Sequence, residues 1–305
     1  MANYSNDFSI ENLEVIRRYQ SNEDNVFFAY SEFSYNTLVG AYEPFLDIIC
    51  NMHRRFIGGS FDDFQKECGV YYLHRQVLNS YYETGECFRE ETVLLNEVAY
   101  EQRRMTMAIA DMLKKLSEVK PLMIVINRFQ MASKSSIETI KYLIDNPCAN
   151  IGIVLGVNAI VKGTDSTVEV WDRIVESLED RSAIYYIGSA GPLKNNVKTT
   201  NDDELYITMN FEQSIQEASN IMEFLDFEQA KRGCRIIEHK LKFEDAWIDE
   251  KSLRRFYMVY ARTSVLLGEM SKAIELTNEF KALIPENDSE HYLSLYYFMK
   301  GTCYM

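Results

Sequence analysis

The chain has 305 residues, of which 47% are apolar and 26% charged, a composition typical of a globular protein with an ample core. Its formal net charge of −14 argues against nucleic acid as a direct ligand, because phosphate backbones are bound by clustered lysine and arginine. No secretory signal opens the chain, and no apolar run approaches the roughly 20 residues of a membrane-spanning helix. The six cysteines are dispersed without a CxxC pair, which predicts a reduced, cytoplasmic protein.

The N-terminal third is predicted to be mainly helical around one strand. Residues 9–20 have apolar side chains at helical spacing after a serine suited to the N-cap. An apolar, aromatic run over residues 26–30 predicts a strand. Residues 35–118 show mostly helical periodicity. This pattern is interrupted near Gly58, Gly59, Gly69 and Gly85.

A second strand is predicted over residues 122–126, five consecutive apolar residues of the kind found in buried parallel strands. It ends at Asn127 and Arg128, and an amphipathic helix follows after a short turn. The apolar face of that helix contains Ile137, Ile140 and Ile144.

The alternation of strand and helix continues towards residue 190. Apolar runs over residues 151–157 and 183–187 predict two further strands, with a helix near residues 168–178 between them. Strands joined through helices form parallel sheets, so the fold class is predicted to be α/β over residues 1–190.

The C-terminal third is predicted to be all helical. Residues 191–210 are polar and rich in turn formers, which indicates a linker, and residues 205–211 could add a strand at the edge of the sheet. From residue 211 to residue 305 the periodicity is purely helical.

The amino-acid sequence around the central strand resembles that of a nucleotide-binding family. Arg103 and Arg104 begin the preceding helix, Pro121 precedes the strand, and the letters FQMAS occupy 129–133 after it. In this frame residues 20–190 resemble the STAND branch of P-loop ATPases, signalling modules of large bacterial regulators that often precede helical repeats and lie beside transcriptional, cyclase or kinase domains. The resemblance implies a parallel P-loop-NTPase-like sheet flanked by helices.

The chemistry of that family is missing from the matching positions. Its central strand ends in acids that hold Mg²⁺ through water, whereas this chain has Asn127 and Arg128 there. An amide is a weak ligand for a hard cation and a guanidinium repels it, so neither a metal site nor a catalytic residue is predicted. Asn158 could replace the polar sensor of the fourth strand. The three positions indicate a degenerate site that holds no cofactor, or a nucleotide without metal. The alternative is that Arg128 simply pairs with an acid at the end of its strand.

The phosphate-binding loop itself is also missing. No GxxxxGK[ST] string, whose backbone amides and lysine would cradle phosphates, occurs in the chain. Three explanations stay open at this stage. The loop was lost, the chain begins after it, or the first seven residues belong to a much-altered loop.

The helical third resembles a tetratricopeptide (TPR) unit of 34 residues. Small residues would let its two helices approach closely, a glycine would make the turn and a proline would stop the second helix. The residues at the characteristic positions are Tyr257, Tyr260, Ala261, Gly268, Met270, Ala273 and Pro285. Leu225 and the five residues after it echo the segment from Gly268 to Ala273, which predicts an earlier hairpin, and Tyr297 and Gly301 predict the first helix of a later one.

The remaining residues with catalytic or metal-binding potential lack the spacing that such sites need. None of the four histidines has a second ligand at metal-binding distance along the chain, and we expect them at the surface or as helix caps. They are His53, His74, His239 and His291.

The leading hypothesis is a non-catalytic regulatory module of a signalling protein, in which an α/β scaffold without hydrolysis is coupled to partner-binding helices. The partner would be a protein or peptide, or another domain of the same polypeptide, bound on a concave face near Tyr257 and Tyr260. Those two residues could equally be hairpin core. One alternative is a fragment of an active ATP-binding signalling ATPase whose Walker A loop lies upstream. Another is a helical adaptor whose α/β half is only a cap.

Overall fold

The computed structural model describes residues 25–33, 38–89, 97–156, 210–243, 248–285 and 289–304. The three strands of this part are β1 (Phe27–Glu32), β2 (Leu122–Asn127) and β3 (Ile151–Leu155). Its first five α-helices are α1 (Phe45–Met52), α2 (Phe61–Glu67), α3 (Tyr72–Thr84), α4 (Val98–Val119) and α5 (Lys134–Asp145). The other five are α6 (Phe211–Glu223), α7 (Phe227–Phe243), α8 (Glu250–Leu266), α9 (Met270–Ala282) and α10 (Ser289–Thr302).

The three strands form one parallel sheet in the order β1–β2–β3. Leu122 of β2 pairs with Phe27 of β1 on one side and with Ile151 of β3 on the other. The strands predicted at 26–30, 122–126 and 151–157 are therefore confirmed, with bounds that differ by one or two residues. The strand predicted at 183–187 and the helices predicted at 9–20 and 168–178 lie outside the described residues.

The central strand is buried because both of its faces are covered. Leu122, Ile124 and Ile126 point into the main hydrophobic core, whereas Met123 and Val125 form a smaller cluster on the opposite face. This division follows from the alternation of side chains along a strand. The helix predicted after β2 is α5, whose buried apolar residues are Ile137, Ile140 and Leu143, with Ile144 packed against them.

Helical hairpins follow from Phe211 onwards, as the periodicity predicts. Gly268 has a φ of 76° in the turn between α8 and α9, and Leu225 has a φ of 69° at the corresponding place between α6 and α7. The echo between the two segments thus corresponds to two similar turns. Phe211 does not end a strand, because the Asn210 side chain accepts a hydrogen bond from the Gln213 N–H and starts α6 there.

The hairpins share one core with the sheet. Tyr42 and Ile124 from the α/β part belong to the same buried cluster as Ile221 and Phe256 from the hairpins. The contact is close at Gly233 of α7, where an added Cβ would lie 2.7 Å from a methyl carbon of Leu38.

Two histidines are buried, contrary to the prediction from the sequence. His53 and His74 are fully buried, so the expectation of surface or capping histidines is wrong for this pair. The ring of His53 lies among Phe61, Phe64 and Tyr82, and its Nδ1 is 3.1 Å from the Tyr82 hydroxyl. Sequence reasoning missed this because the aromatic neighbours come from α2 and α3.

Among the described helices, none combines the length and the apolar character needed to cross a membrane. The 22-residue α4 is long enough, but charged side chains interrupt it from Glu101 to Glu118.

Gly268 provides a test of the hairpin geometry. We expect Gly268→Ala to lower the free energy of unfolding by about 1 kcal/mol, because a residue with a Cβ is strained at a φ of 76°. The measurement is urea denaturation followed by circular dichroism. Gly301→Ala, inside α10 and with open space around the added Cβ, is the matched control and should not destabilise. Equal losses in both variants would contradict the assignment of this turn.

Candidate functional site

The carboxyl edge of the sheet contains Asn127 and Arg128, two of the predicted degenerate nucleotide-site residues. Arg128 has a left-handed backbone, with φ 55° and ψ 41°, and its N–H donates to the Asn127 side-chain oxygen at 3.0 Å. Its Nη2 lies 3.0 Å from Oε1 of Glu32, the last residue of β1. Left-handed non-glycine residues are uncommon, and they cluster at functional positions.

Among the described residues, this edge presents a pair of opposite charges. The pairing of Arg128 with an acid, which the alternative interpretation predicts, is present in its contact with Glu32. The two side chains are 41% and 36% exposed, so the pair contributes at most about 1 kcal/mol and an anionic ligand could open it. Within the described ranges, no three histidine, cysteine, aspartate or glutamate side chains are grouped as metal ligands. Asn158 lies outside these ranges.

A buried serine turn connects the carboxyl edge to the rest of the molecule. Ser133 caps α5 by accepting a hydrogen bond from the Ser136 N–H. The Ser136 hydroxyl donates to the Glu43 carbonyl oxygen at 2.6 Å, and the Ser135 hydroxyl accepts from the Tyr42 N–H at 3.0 Å. The turn after β2 is thus tied to the segment that precedes α1.

Asp226 joins this serine turn to the helical hairpins. Its Oδ2 accepts a hydrogen bond from the Ser135 N–H, in the first turn of α5, at 3.1 Å. It also accepts one from the Gln229 N–H, in the first turn of α7. The positive ends of two helices therefore converge on one carboxylate, which is the charge that helix N-termini favour. Burial raises the pKa of Asp226, and the hydrogen bonds from Ser135 and Gln229 oppose that shift.

Further polar contacts cross the same junction. Arg89 donates through Nη2 to the Glu223 carbonyl oxygen at 2.9 Å, and Glu223 Oε1 is 3.0 Å from Arg262 Nη1 on α8. Asn220 on α6 donates to the Gly85 carbonyl oxygen and accepts from the Cys87 N–H. These hydrogen bonds hold the segment after α3 against α6. Because they are buried, water cannot take the place of either partner if one of them is lost.

A buried histidine lies beside this network. His74 Nε2 is 3.0 Å from Glu101 Oε2, and Glu101 Oε1 is 3.2 Å from Arg104 Nη1. Burial, assisted by the positive charges of Arg89 and Arg104, lowers the pKa of His74 to about 3. His74 is thus neutral at pH 7, and Glu101 is paired with Arg104.

An acidic cleft of about 370 Å³ lies between the segment around α1 and α6. Glu43 Oε2 accepts from the Gly40 N–H at 2.8 Å, and Asp47 Oδ1 accepts from the Tyr81 hydroxyl at 3.2 Å. Glu217 approaches Gly40 so closely that an added Cβ there would lie 2.8 Å from Glu217 Oε1. The remaining lining residues are Leu38, Ala41, Leu46, Asn220 and Phe224.

The carboxylates of this cleft resist ionisation. Burial, and then the charges of Glu43 and Asp47, raise the pKa of Glu217 to about 7. Burial also raises the pKa of Glu43 and of Asp47. With a pKa of about 7, Glu217 is divided between its protonated and ionised forms near neutral pH, so the cleft binds or releases a proton there.

The two predicted partner-binding residues have different surroundings. Tyr260 is 3% exposed, and its hydroxyl lies 3.5 Å from Glu238 Oε2, which makes it hairpin core. Tyr257 is half-buried beside Phe256. Of the two, Tyr257 alone presents surface.

Sequence reasoning missed the residues that organise the junction. Serine and aspartate are preferred N-cap residues, and Ser133 and Asp226 each directly precede a helical pattern, so each cap was readable locally. Nothing local indicates that Asp226 caps two helices at once.

Comparison with protein-family models, with curated proteins and with solved structures gives no match.

The capping role of Asp226 can be tested by measuring the stability of variants at this position. We expect Asp226→Ala to lower the free energy of unfolding by about 2–3 kcal/mol, because it leaves buried N–H groups of two helices without acceptors. Asp226→Asn, which keeps an acceptor oxygen, should lose less. Urea denaturation at pH 7 measures both, and an Ala variant as stable as the wild type would contradict the role given to this carboxylate.

The raised pKa of Glu217 can be tested through the pH dependence of stability. Because the pKa of Glu217 is about 7 in the folded state and 4.5 for a free glutamate side chain, the folded protein binds more protons than the unfolded chain between these values. Its contribution to stability is therefore present below pH 4.5 and lost as the pH rises towards 7 and above. We expect Glu217→Gln to be more stable than the wild type at pH 8, by on the order of 2 kcal/mol, and equal to it near pH 4.5.

Thermal and urea unfolding between pH 4.5 and pH 8 measure this difference. Glu118→Gln, an exposed position on α4, is the control and should follow the wild-type profile. A Glu217→Gln profile parallel to that of the wild type would show that the cleft does not hold this proton.

Proposed function

We propose that this chain is a non-catalytic regulatory module, in which a STAND-like α/β scaffold is coupled to helical hairpins that bind a protein or peptide. The proposal rests above all on the carboxyl edge of the sheet. There a fixed arginine charge, paired with Glu32, stands where the resemblance has the acids of an ATPase. Arg128 occupies the Glu32 carboxylate, which is then not available to hold Mg²⁺ for the water activation that hydrolysis needs.

Support for coupling comes from the path between the edge and the hairpins. Arg128 is followed directly by the turn Phe129–Met131 and by Ser133, which caps α5. Ser135, in the first turn of α5, donates to Asp226, which caps α7. We expect a displacement of the Arg128 turn to reach the hairpins through these buried hydrogen bonds.

The hairpins are the proposed binding part. Tyr257 contributes a half-buried aromatic surface on α8, and Lys272 of α9 lies 3.0 Å from Glu238 of α7 and 2.8 Å from Glu275. Mixed charges beside an aromatic ring suit a peptide with polar side chains. Tyr260 acts through packing, because it is buried.

Hydrolysis assays separate this proposal from an active ATPase. We expect no phosphate release from ATP with Mg²⁺ above that of a protein-free sample, and the same result for Asn127→Ala. Tyr257→Ala is the control for a change outside the sheet edge. Hydrolysis by the wild type that Asn127→Ala abolishes and Tyr257→Ala retains would contradict the proposal and favour the ATPase.

A thermal-shift screen with nucleotides separates it from a helical adaptor with a structural cap. A ligand that binds only the folded state raises the apparent melting temperature, by an amount that follows its concentration over its Kd. We expect a shift with a nucleotide in the absence of metal, and a smaller one for Arg128→Ala. No shift with any nucleotide would favour the adaptor.

A further inference from the structure

The acidic cleft between the segment around α1 and α6 holds negative charge without a counter-charge. Among the described residues, Glu43, Asp47 and Glu217 form no ion pair with a basic side chain, and none of the described residues that line the cleft is basic. Burial raises the pKa of all three carboxyl groups, and repulsion between them adds to this for Glu43 and Glu217. Carboxylates perturbed in this way are typical of functional sites.

The inner end of the cleft is built around Gly40. A Cβ added to this glycine would lie 2.8 Å from Glu217 Oε1 and 3.4 Å from Glu43 Oε2, so the two carboxylates converge on the space that a side chain would take. Both are half-buried. Their two oxygens lie within about 6 Å of each other, so one ammonium group can donate to both, since each such hydrogen bond spans about 2.8 Å.

The mouth of the cleft carries the third carboxylate. Asp47 is exposed, and its Oδ1 accepts a hydrogen bond from the Tyr81 hydroxyl at 3.2 Å. Within the described residues, its Oδ2 accepts no hydrogen bond. Asp47 therefore offers a second place for a positive charge, nearer to solvent than the first.

The walls between these two ends are apolar and aromatic. Leu38, Ala41 and Leu46 line the cleft and are buried. Tyr81 and Phe224 also line it, and their rings meet edge-on at 5.6 Å. Such walls suit a hydrocarbon stem, and aromatic rings near an ammonium group add a favourable cation–π interaction.

We propose that the acidic cleft binds a small aliphatic diamine, with one ammonium group between Glu43 and Glu217 and the other beside Asp47. Two positive charges offset most of the charge of three carboxylates, and the stem lies along the apolar walls. The volume of about 370 Å³ is within the roughly 300–1,000 Å³ of small-molecule sites. None of the described lining residues belongs to the carboxyl edge of the sheet or to α8, so this ligand goes beyond the proposed protein or peptide partner.

A diamine fits the cleft better than a metal ion does. Mg²⁺ and Ca²⁺ need several oxygens at about 2.0–2.6 Å from one point. The three carboxylates are not grouped in this way, because no three acidic, histidine or cysteine side chains of the described residues form such a set. An ammonium group accepts longer contacts, and a diamine distributes its charge over two places.

Isothermal titration calorimetry of the full chain with butane-1,4-diamine, up to about 10 mM at fixed ionic strength, tests the proposal. We expect one diamine to bind per chain at pH 8, and no binding of butane-1,4-diol, which has the same stem without charge. Nα-acetyl-lysine amide, which presents one ammonium group as a partner protein would, should bind more weakly. Tighter binding of this amide or of Ca²⁺, or no binding of the diamine, would overturn the proposal.

The pH dependence of binding tests the inner end of the cleft. Glu217, with a pKa of about 7, is mostly protonated at pH 6, so the diamine Kd should be up to about tenfold lower at pH 8 than at pH 6. The diamine itself stays charged, since alkylammonium groups have a pKa of about 10. An equal Kd at both pH values would overturn the proposal. The other titratable or charged groups that face the cleft or interact with its carboxylates are Glu43, Asp47, Cys50, Arg54, Tyr81 and Cys87.

Three variants separate a built site from general attraction to an acidic protein. Gly40→Ala leaves every charge in place but puts a methyl group against the Glu217 carboxylate, and should raise the diamine Kd at least about tenfold. Glu217→Gln should raise it similarly, whereas Glu118→Gln removes the same charge from an exposed position on α4 and should not. Circular dichroism and thermal unfolding check that each variant is folded. The same Kd in Gly40→Ala, Glu217→Gln and the wild type would overturn the proposal.

Discussion

The structure depends on one buried carboxylate, that of Asp226, placed between the N-termini of α5 and α7. Removing a charge from water costs several kcal/mol unless donors replace the lost hydration. Here the donors are N–H groups of Ser135 and Gln229, which would themselves be unsatisfied without an acceptor. Each side of the contact thus offsets the cost of burying the other. One consequence is that the sheet and the hairpins cannot shift independently without exposing both sets of groups.

This constraint explains why the α/β part and the hairpins share a core. The α6–α7 turn carries Asp226 and also Phe224, whose ring meets Tyr42 and Tyr81 edge-on at 5.9 Å and 5.6 Å. The turn is therefore fixed by one polar and two aromatic contacts to the α/β part. Gln102 of α4 adds a hydrogen bond to the Leu225 carbonyl oxygen. These contacts hold the α/β part and the hairpins together.

The sequence is sufficient for features that depend on neighbouring residues. The strand at 122–126 follows from a run of apolar residues, and the turn at Gly268 follows from a glycine between two helical patterns. The junction could not be predicted in this way, since Ser135 and Asp226 are 91 residues apart. The same limit applies to His74, whose partner Glu101 lies on another helix and whose isolated position suggested a surface residue. Pairing between polar groups that are far apart along the chain produces no periodic pattern in the sequence.

The acidic cleft is lined partly by the hairpin that Asp226 holds in place, so the charge of the cleft affects the packing of that hairpin. Glu217 is on α6, one helix of the hairpin that Asp226 caps, and the ring of Phe224 forms part of the cleft wall. Ionisation of Glu217 places a third negative charge near Glu43 and Asp47, and their repulsion acts between α6 and the segment around α1. The Asp226 contact holds the same hairpin against α5, to which the segment before α1 is bonded through Ser135 and Ser136. A proton in the cleft therefore relieves a repulsion that the buried hydrogen bonds would otherwise have to withstand, so the state of the cleft and the tightness of the junction change together.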